Sequence, residues 1–287
     1  MNAMQQITAP SAMQDQALLW RSQGLKVGLV PTMGYWHEGH LSLVRWAREH
    51  CDRLVVSIFV NPTQFAPGED LQGYPSDIKR DARLAQECGV DVLFCPVPEA
   101  MYAAHHATWV EVPTLAKYLC GGSRPTHFRG VATVVSKLFQ LTQPSFAVFG
   151  EKDWQQLAII KTMTRDLNMP VRIEGRPIVR EADGLAMSSR NVYLAPKERE
   201  MAPKIFQGLQ LGADLVHSGM RQVSSVQKQI LDFYAQQIPM GQLDYLEFVD
   251  PDLISPVDQI VDSVLIAVAM RLGKARLIDN IYLPLES

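Results

Sequence analysis

The chain has 287 residues, 47% hydrophobic and 20% charged, which is ordinary for a globular protein of one large domain or two modest ones. A formal net charge of -3 argues against a broad nucleic-acid surface, and the four cysteines form no C-x-x-C pair that would predict a disulfide framework or a zinc ribbon. No apolar run reaches the roughly 20 residues of a membrane span, and no signal peptide is recognisable. These features predict a soluble cytoplasmic protein that binds neither nucleic acid nor a membrane.

Strand-like and helix-like segments alternate along the first 180 or so residues. Apolar runs predict strands over residues 25–30, 54–60, 90–95 and 145–149. Helical spacing of apolar residues predicts helices over residues 38–51, 76–88, 129–142 and 153–167. This alternation is typical of an α/β fold, so we predict a Rossmann-like parallel sheet with helices on both faces.

The pattern changes after residue 180. Helical periodicity occupies residues 196–239, with a break expected near Gly219. Three strands are predicted further on, at residues 243–249, 264–270 and 276–282. A turn at Gly273 is expected between the last two. We therefore predict two domains, a Rossmann-like domain of residues 1–180 and a smaller C-terminal α+β domain of residues 181–287.

Residues 31–40 are the most informative stretch of the chain. They lie between a predicted strand and a predicted helix, where free backbone N–H groups and the helix dipole favour an anion. His37 and His40 are three residues apart and share one face of the first helical turn, which indicates phosphate chemistry. The pair could also be half of a metal site, but the zinc motif H-E-x-x-H needs i, i+4 spacing and no third ligand stands nearby. No metal ligands are predicted.

Two further polar motifs follow predicted strands. Residues 61–65 come directly after the second strand, and residues 150–153 come directly after the fourth. Ligands of parallel α/β sheets bind beyond the carboxyl ends of the strands. We therefore expect both motifs to converge with residues 31–40 on one crevice.

Six sequence blocks together resemble one enzyme family. They are residues 31–40, 60–65, 124–131, 149–156, 180–191 and 276–280. The first matches the H-x-G-H signature of nucleotidylyltransferase-like enzymes, and the set is similar to the pantothenate synthetase (pantoate–β-alanine ligase) family, in family order and over nearly the whole chain. The resemblance implies an ATP-dependent ligase that joins pantoate to β-alanine through a pantoyl-adenylate and releases pyrophosphate. It also implies Mg²⁺ with the ATP, a homodimer, and a C-terminal domain that closes over the active site.

The resemblance assigns roles to individual residues. It implies catalytic roles for His40, as proton donor, and for His37 and Lys152, which would contact the phosphates. Val179 would contribute to adenine recognition. The full set implied for ATP binding is Met33, Gly34, Tyr35, Trp36, His37, Glu38, Gly39, His40, Gly150, Glu151, Lys152, Asp153, Val179, Met187, Ser188, Ser189 and Arg190.

The resemblance also implies the substrate side of the site. Gln64 and Gln156 match the pantoate contacts, and Gln64 also borders the β-alanine site; an amide offers both a donor and an acceptor to pantoate's hydroxyls. Val134 and Val135 would line the apolar side, a role compatible with ordinary helix packing. Two weaker candidates are Arg124 and His127, for which surface salt bridging is the rival interpretation. Gln155 is one residue out of phase with Gln156 and is expected to point elsewhere.

Three residues depart from the family pattern. Two functions other than that of a ligase are also compatible with a nucleotide-binding site of this kind. Trp36 stands where a smaller aliphatic residue is usual, Trp154 replaces Tyr or Phe, and Ser76 replaces a common arginine. A nucleotidylyltransferase acting on a phosphorylated acceptor would need further basic residues, whereas Gln64 and Gln156 are neutral. A non-enzymatic nucleotide sensor with a decayed site conflicts with the intact candidate residues.

Overall fold

The structure is a computed structural model that describes residues 4–66, 69, 71 and 73–284. Its strands are β1 (Gln5–Ile7), β2 (Val27–Thr32), β3 (Arg53–Ile58), β4 (Val92–Phe94), β5 (Phe146–Gly150), β6 (Arg172–Arg176), β7 (Gln242–Val249), β8 (Val264–Leu272) and β9 (Ala275–Leu283). Its helices are α1 (Pro10–Ser22), α2 (Glu38–Glu49), α3 (Ile78–Glu87), α4 (Pro98–Met101), α5 (Cys120–Ser123), α6 (His127–Thr142), α7 (Trp154–Asp166), α8 (Pro196–Met201), α9 (Lys204–His217) and α10 (Val223–Gln237). Within the described ranges, no helix combines the length and apolar character needed to cross a bilayer.

The chain divides into two compact units. The first comprises residues 1–113, 124–151 and 159–177, and the second comprises residues 114–123, 152–158 and 178–287. The outermost residues of the two predicted domains, 1–3 and 285–287, lie outside the described part of the chain.

The first unit is built on a parallel six-stranded sheet in the order β1-β4-β3-β2-β5-β6. Val30 of β2 lies opposite Val56 of β3, and both pack with the buried side of α2 and α3. Neighbouring strand residues point to opposite faces. Leu29 therefore faces the other side of the sheet, where α1 and α6 contact β2. The predicted parallel sheet with helices on both faces is confirmed.

Several elements of this unit were not predicted, among them β6, β1, α1 and α4. The edge strand β6 is half-exposed and carries charged Arg172, Glu174 and Arg176, so no apolar run marks it. The other edge strand, β1, has only three residues and buries one of them. The helix α1 buries Met13, Ala17 and Trp20 at helical spacing, and this apolar pattern is visible in the sequence.

The second unit packs helices on an antiparallel sheet of order β7-β8-β9. Ile205 and Leu209 of α9 and Ile230 of α10 share its core with the central strand β8. The predicted break at Gly219 is confirmed, since that glycine has a φ of +102° after the end of α9. A second break separates α8 from α9 at residues 202–203 and was not predicted. The third strand, β9, and the turn at Gly273 are both confirmed.

Candidate active site

The strands that precede the three polar motifs are neighbours in the sheet of the first unit. The strands β3, β2 and β5 are neighbours and parallel, so their carboxyl ends lie at the same edge. The chain leaves β2 toward β3 on one side, and the later strand β5 pairs with β2 on the other side. This reversal of strand order is the switch point where parallel α/β sheets bind ligands.

The turn after β2 is held by a buried carboxylate that the sequence did not indicate. Gly34 and Tyr35 both have positive φ, at +88° and +54°. Asp81 of α3 accepts the backbone N–H of Tyr35 at 2.6 Å and that of Trp36 at 2.9 Å, and its side chain is 1% exposed. Burial raises the pKa of Asp81 from its ordinary value, although the two N–H donors act in the opposite direction. Asp81 therefore fixes the backbone that carries the candidate nucleotide segment.

The unusual Trp36 is a core residue of this turn. Its side chain is 1% exposed and packs among residues of β2, β3 and α2. The indole Nε1 donates to Thr32 Oγ1 at 3.0 Å, and that hydroxyl donates to Ser57 O at 2.8 Å. An aliphatic side chain has no hydrogen-bond donor for Thr32, so Trp36 adds a hydrogen bond to this turn.

His37 and His40 cap α2 reciprocally. Gly39 N donates to His37 Nδ1 at 3.1 Å, while the backbone N–H of His37 donates to His40 Nδ1 at 3.3 Å. The two rings lie 4.2 Å apart between centroids. Because each Nδ1 accepts a hydrogen bond, each neutral ring carries its proton on Nε2. The two imidazoles therefore lie at the start of a 12-residue helix, beside the positive end of the helix dipole.

Gln64 lies in a short 3₁₀ turn after β3, and its amide orientation is fixed. Asn61, which is 1% exposed, donates from Nδ2 to Gln64 Oε1 and to Gly130 O, each at 3.1 Å. Asn61 Oδ1 in turn accepts from Tyr102 Oη at 2.9 Å. With Oε1 occupied, Gln64 presents its Nε2 donor side, which lies 3.1 Å from Met33 Sδ. Asn61 belongs to the predicted motif 61–65, but the sequence assigned it no role of its own.

Arg124 and His127 support the backbone of this turn. Arg124 Nη2 lies 3.2 Å from Gln64 O, and His127 Nδ1 lies 2.8 Å from the same oxygen. Arg124 also forms a double hydrogen bond with Glu69, at 2.6 and 2.7 Å. Burial acts to raise the pKa of Glu69, but the hydrogen bond and charge of Arg124 outweigh it and lower the pKa. Both residues therefore hold the Gln64 turn in place.

Val134 and Val135 are buried in α6, the helix that packs on the Gln64 turn. The approach is close: a Cβ on Gly130 would lie 2.5 Å from Thr63 O, so only glycine fits there. At the end of β5, by contrast, a Cβ on Gly150 would meet nothing within 4 Å. The space beside Gly150 is open, and Glu151 follows it in a 3₁₀ turn.

In the second unit, Lys152 lines a small cleft. The full lining is Lys152, Leu185, Ala186, Ser188, Ile205, Leu277, Ile278 and Asp279. Asp153 is exposed and immediately precedes α7, which begins at Trp154, one residue after the predicted start. An ammonium and a hydroxyl on the wall of one cleft can bind a polyanion.

The segment of residues 187–190 follows a small hairpin. Met187 N donates to Val179 O at 3.0 Å, which aligns Val179 with the start of the segment. Ser188 Oγ accepts the backbone N–H of Arg190 at 3.2 Å and begins a 3₁₀ turn of residues 189–193. Ser189 is buried at the start of that turn. The segment 187–190 therefore leads directly into a 3₁₀ turn.

Gln155 and Trp154 are both engaged within the second unit. Gln155 Nε2 donates to Leu115 O and Tyr118 O at 2.8 and 2.7 Å, and its Oε1 accepts from Cys120 N at 3.0 Å. All of these hydrogen bonds of the Gln155 amide are with residues 115–120. The neighbouring Gln156 is half-buried. Trp154 Nε1 donates to Pro251 O at 2.8 Å, a bond that a phenylalanine could not make.

Some of the predicted site residues lie close to one another within each unit, and the contacts of the described residues do not place Gln156 in either group. Met33, His37, His40 and Gln64 lie together at the sheet edge of the first unit. Lys152 and Ser188 share the cleft of the second. Ser76, the third departure from the family pattern, is an exposed residue just before α3.

Comparison with known proteins gives one consistent result. The sequence profile of the family described as pantoate-beta-alanine ligase matches residues 5–282. Pantothenate synthetase from Nitratidesulfovibrio vulgaris (strain Miyazaki F) is 58% identical, over 98% of this chain and 99% of the relative.

Solved structures agree with the sequence match. The crystal structure of pantothenate synthetase from Thermus thermophilus is 44% identical with a TM-score of 0.90, over 97% of this chain and 99% of that one. The pantoate-beta-alanine ligase of Francisella tularensis, solved with beta-gamma ATP and beta-alanine, is 33% identical with a TM-score of 0.79, over 97% of each chain. Because the matches span nearly the full length at high identity, this chain belongs to the pantoate-beta-alanine ligase family.

Proposed function

We propose that this enzyme condenses (R)-pantoate with β-alanine, using ATP, to give pantothenate, AMP and pyrophosphate through a pantoyl-adenylate. The observation that carries the proposal is the meeting of residues 31–40 with residues 61–65 at one sheet edge, which pairs an anion-binding helix start with a neutral amide site. The Francisella tularensis relative, solved with an ATP compound and beta-alanine, supports the choice of substrates.

The chemistry has two steps. A carboxylate oxygen of pantoate attacks the α-phosphorus of ATP, an O–P bond forms, and the bond to the β-phosphate oxygen breaks with release of pyrophosphate. The amine of β-alanine, after losing a proton from its ammonium form, attacks the acyl carbon; a C–N bond replaces the acyl C–O bond, and AMP leaves. Negative charge grows on the phosphate oxygens in the first step, so donors placed beside them lower its barrier.

We propose the following roles on the nucleotide side. His40 and His37 donate from Nε2 to phosphate oxygens, with His40 as the proton donor, because their Nδ1 atoms are held by the capping hydrogen bonds. The other proposed ATP contacts are Met33, Gly34, Tyr35, Trp36, Glu38, Gly39, Gly150, Glu151, Lys152, Asp153, Val179, Met187, Ser188, Ser189 and Arg190. The buried indole of Trp36 leaves its backbone as the part that could face a ligand.

On the substrate side, we propose that Gln64 and Gln156 bind pantoate and that Gln64 also borders β-alanine. The fixed amide of Gln64 presents a donor, which suits an oxygen-rich substrate. Val134 and Val135 are proposed to face pantoate's methyl groups. We also propose that ATP and pantoate bind within residues 1–180 and that residues 181–287 close over them.

Magnesium is proposed to accompany the ATP. Among the described residues, no three His, Cys, Asp or Glu side chains are grouped so that they could hold a metal ion. In nucleotide sites Mg²⁺ is usually held mainly by phosphate oxygens and water. When bound, the ion would neutralise phosphate charge, and we assign it no protein ligands.

Two wider proposals follow from the family. A homodimer is expected, and light scattering should give a mass twice that of one chain; a monomer at assay concentration would contradict it. A cytoplasmic location fits four free thiols, Cys51, Cys88, Cys95 and Cys120. Burial raises the pKa of Cys95 to about 11, which keeps that thiol protonated and unreactive.

The proposed function is tested by an assay of AMP and pyrophosphate. Both should form at a sustained rate only when pantoate, β-alanine, ATP and Mg²⁺ are all present. Turnover with pantetheine phosphate or nicotinamide mononucleotide in place of pantoate would instead identify a nucleotidylyltransferase. Binding of ATP without any turnover would identify a nucleotide sensor.

A further inference from the structure

The sequence block of residues 276–280 has no role in the proposed mechanism, yet two of its members are buried polar residues. Asp279 and Asn280 are adjacent on β9 and are 5% and 6% exposed. Burying a charge and an amide is costly unless both are hydrogen-bonded. Their partners therefore indicate what these residues do.

Asp279 holds Arg180, which lies in the hairpin before the segment 187–190. Arg180 donates to both carboxylate oxygens, from Nη1 at 2.7 Å and from Nη2 at 3.0 Å. Nη1 also donates to Gly184 O at 3.1 Å, at the turn of the same hairpin. The guanidinium lies over the ring of Phe206, 3.4 Å from its centroid. A bidentate pair of this kind fixes orientation as well as distance.

The hairpin connects Arg180 to the segment 187–190. Arg180 pairs with Ala186 in an antiparallel bridge, and Met187 N donates to Val179 O at 3.0 Å. The residue after Met187 is Ser188, which lines the same cleft as Asp279. Holding Arg180 therefore sets where the segment 187–190 begins.

Asn280 holds the other nucleotide segment. Its Nδ2 donates to Lys152 O at 3.0 Å, and its own backbone N–H donates to Asp279 Oδ1 at 2.8 Å. Asp279 Oδ1 therefore joins the two contacts, since it receives both Arg180 Nη2 and Asn280 N. Lys152 and residues 187–190 are far apart in the chain but are tied to neighbouring residues of one strand.

We propose that Asp279 and Asn280 are positioning residues that set the spacing between Lys152 and the segment 187–190 for the phosphates of ATP. The proposal rests on the proposed function, in which both segments bind ATP. Neither residue need touch the nucleotide, because Asp279 acts through Arg180 and Asn280 acts through the backbone of Lys152.

The primary variant is Asn280→Ala, which removes the donor to Lys152 O. One lost hydrogen bond is typically worth a factor of about 2 to 10 in an equilibrium. We expect the Kd of ATP, measured by calorimetry in MgCl₂ without acid or amine, to rise about fivefold. Single-turnover adenylation at an ATP concentration below the Kd should slow by about the same factor, while the KM of pantoate changes less than twofold. An unchanged Kd and rate, or equal losses in ATP and pantoate parameters, would overturn the proposal.

A double-mutant cycle distinguishes positioning from general support. If Asn280 acts through Lys152, Asn280→Ala should raise the Kd of ATP less than twofold in a Lys152→Ala background. A full fivefold effect in that background would contradict this role. Asp279→Asn, which weakens the grip on Arg180, should reproduce the loss of ATP affinity; Asp262→Asn is the matched control, because Asp262 is exposed and outside the site.

The experiment separates this proposal from the proposed function. Calorimetry needs only ATP and Mg²⁺, so its result does not depend on pantoate or β-alanine. A wild-type protein that binds ATP but forms no pantothenate would defeat the proposed function, while the effect of Asn280→Ala on ATP would still decide the positioning role. A wild-type protein that binds no ATP would overturn both.

Discussion

Two of the three candidate nucleotide segments, residues 33–40 and residues 187–190, are held in different ways. In the first unit, residues 33–40 are fixed by backbone hydrogen bonds to Asp81 and by reciprocal capping between His37 and His40. In the second unit, residues 187–190 follow a hairpin that a charged pair, Arg180 with Asp279, ties to β9. The first segment carries two imidazoles at a helix start, and the second carries two hydroxyls and one guanidinium on a supported loop.

This difference suggests a division of labour. A hydrogen bond from an imidazole N–H group becomes stronger as negative charge grows on a phosphate oxygen in the transition state. A cation, in contrast, attracts the triphosphate in the ground state as well as in the transition state. We therefore expect changes in the first segment to act mainly on the rate of adenylation. Changes in the second segment should act mainly on ATP affinity.

The largest expected effect is that of His40→Ala. Removing one preorganised transition-state donor typically costs about 10²–10³ in rate, so single-turnover adenylation should slow by that factor while the Kd of ATP changes little. His50→Ala is the matched control, because His50 is an exposed histidine at the end of the same helix. If ATP affinity fell and the adenylation rate did not, the division of labour would be wrong.

Asp81→Asn should have the next largest effect. Asparagine has the same shape, but its NH₂ group would face one of the two backbone N–H groups that Asp81 accepts. One buried N–H would then lack an acceptor, which typically costs about 1–3 kcal/mol of folding free energy. We expect adenylation to slow about tenfold and the melting temperature to fall. Glu87→Gln, an exposed change on the same helix, should alter neither quantity. Wild-type rates in Asp81→Asn would mean that the turn needs no such anchor.

Trp36→Phe tests the core beneath the turn. The phenylalanine loses the hydrogen bond to Thr32 and leaves a small void, so the free energy of unfolding should fall by about 1–3 kcal/mol. Urea denaturation measures this change. A parallel Trp109→Phe variant should change stability less, because Trp109 is an exposed residue of the same unit. Equal losses in both variants would contradict the role of Trp36.

The smallest expected effect concerns the pair of Arg124 and Glu69. Because the folded pKa of Glu69 lies below the ordinary value of 4.5, the pair stabilises the fold above pH 4.5 and loses this contribution as the pH falls through the folded pKa. Arg124→Gln should therefore cost at most about 1 kcal/mol at pH 7 and progressively less in acid. Urea titrations at several pH values test this, with the exposed Arg165 as control residue. A difference that grew toward acid would contradict the assignment.

The fold and its motifs could be predicted to different depths. The alternation of apolar runs and helical spacing predicted the central strands and the start of α2 at Glu38, because both signals are local in the sequence. The edge strands β1 and β6 were not predicted, because they are short or charged and bury few side chains. The break before α9 was not predicted, because the helical spacing of apolar residues continues on both sides of Pro203.

The supporting residues could not be predicted from local patterns. Asp81 lies more than 40 residues from the turn that it holds, and a single Asp in a polar helix is usually a surface residue. Its one signal was its place beside Ala85 on the buried face of α3. Asn61 and Asn280 likewise act through partners far along the chain, at Gly130 and Lys152.

Oxygen-isotope transfer tests the central claim most directly. Pantoate labelled with ¹⁸O in its carboxylate is incubated with ATP, β-alanine and Mg²⁺, and the products are examined by mass spectrometry. Attack of the carboxylate on the α-phosphorus predicts one ¹⁸O in AMP for each pantothenate formed, because the later C–O cleavage leaves that oxygen on phosphorus. Label in pyrophosphate, or AMP without label, would contradict a pantoyl-adenylate.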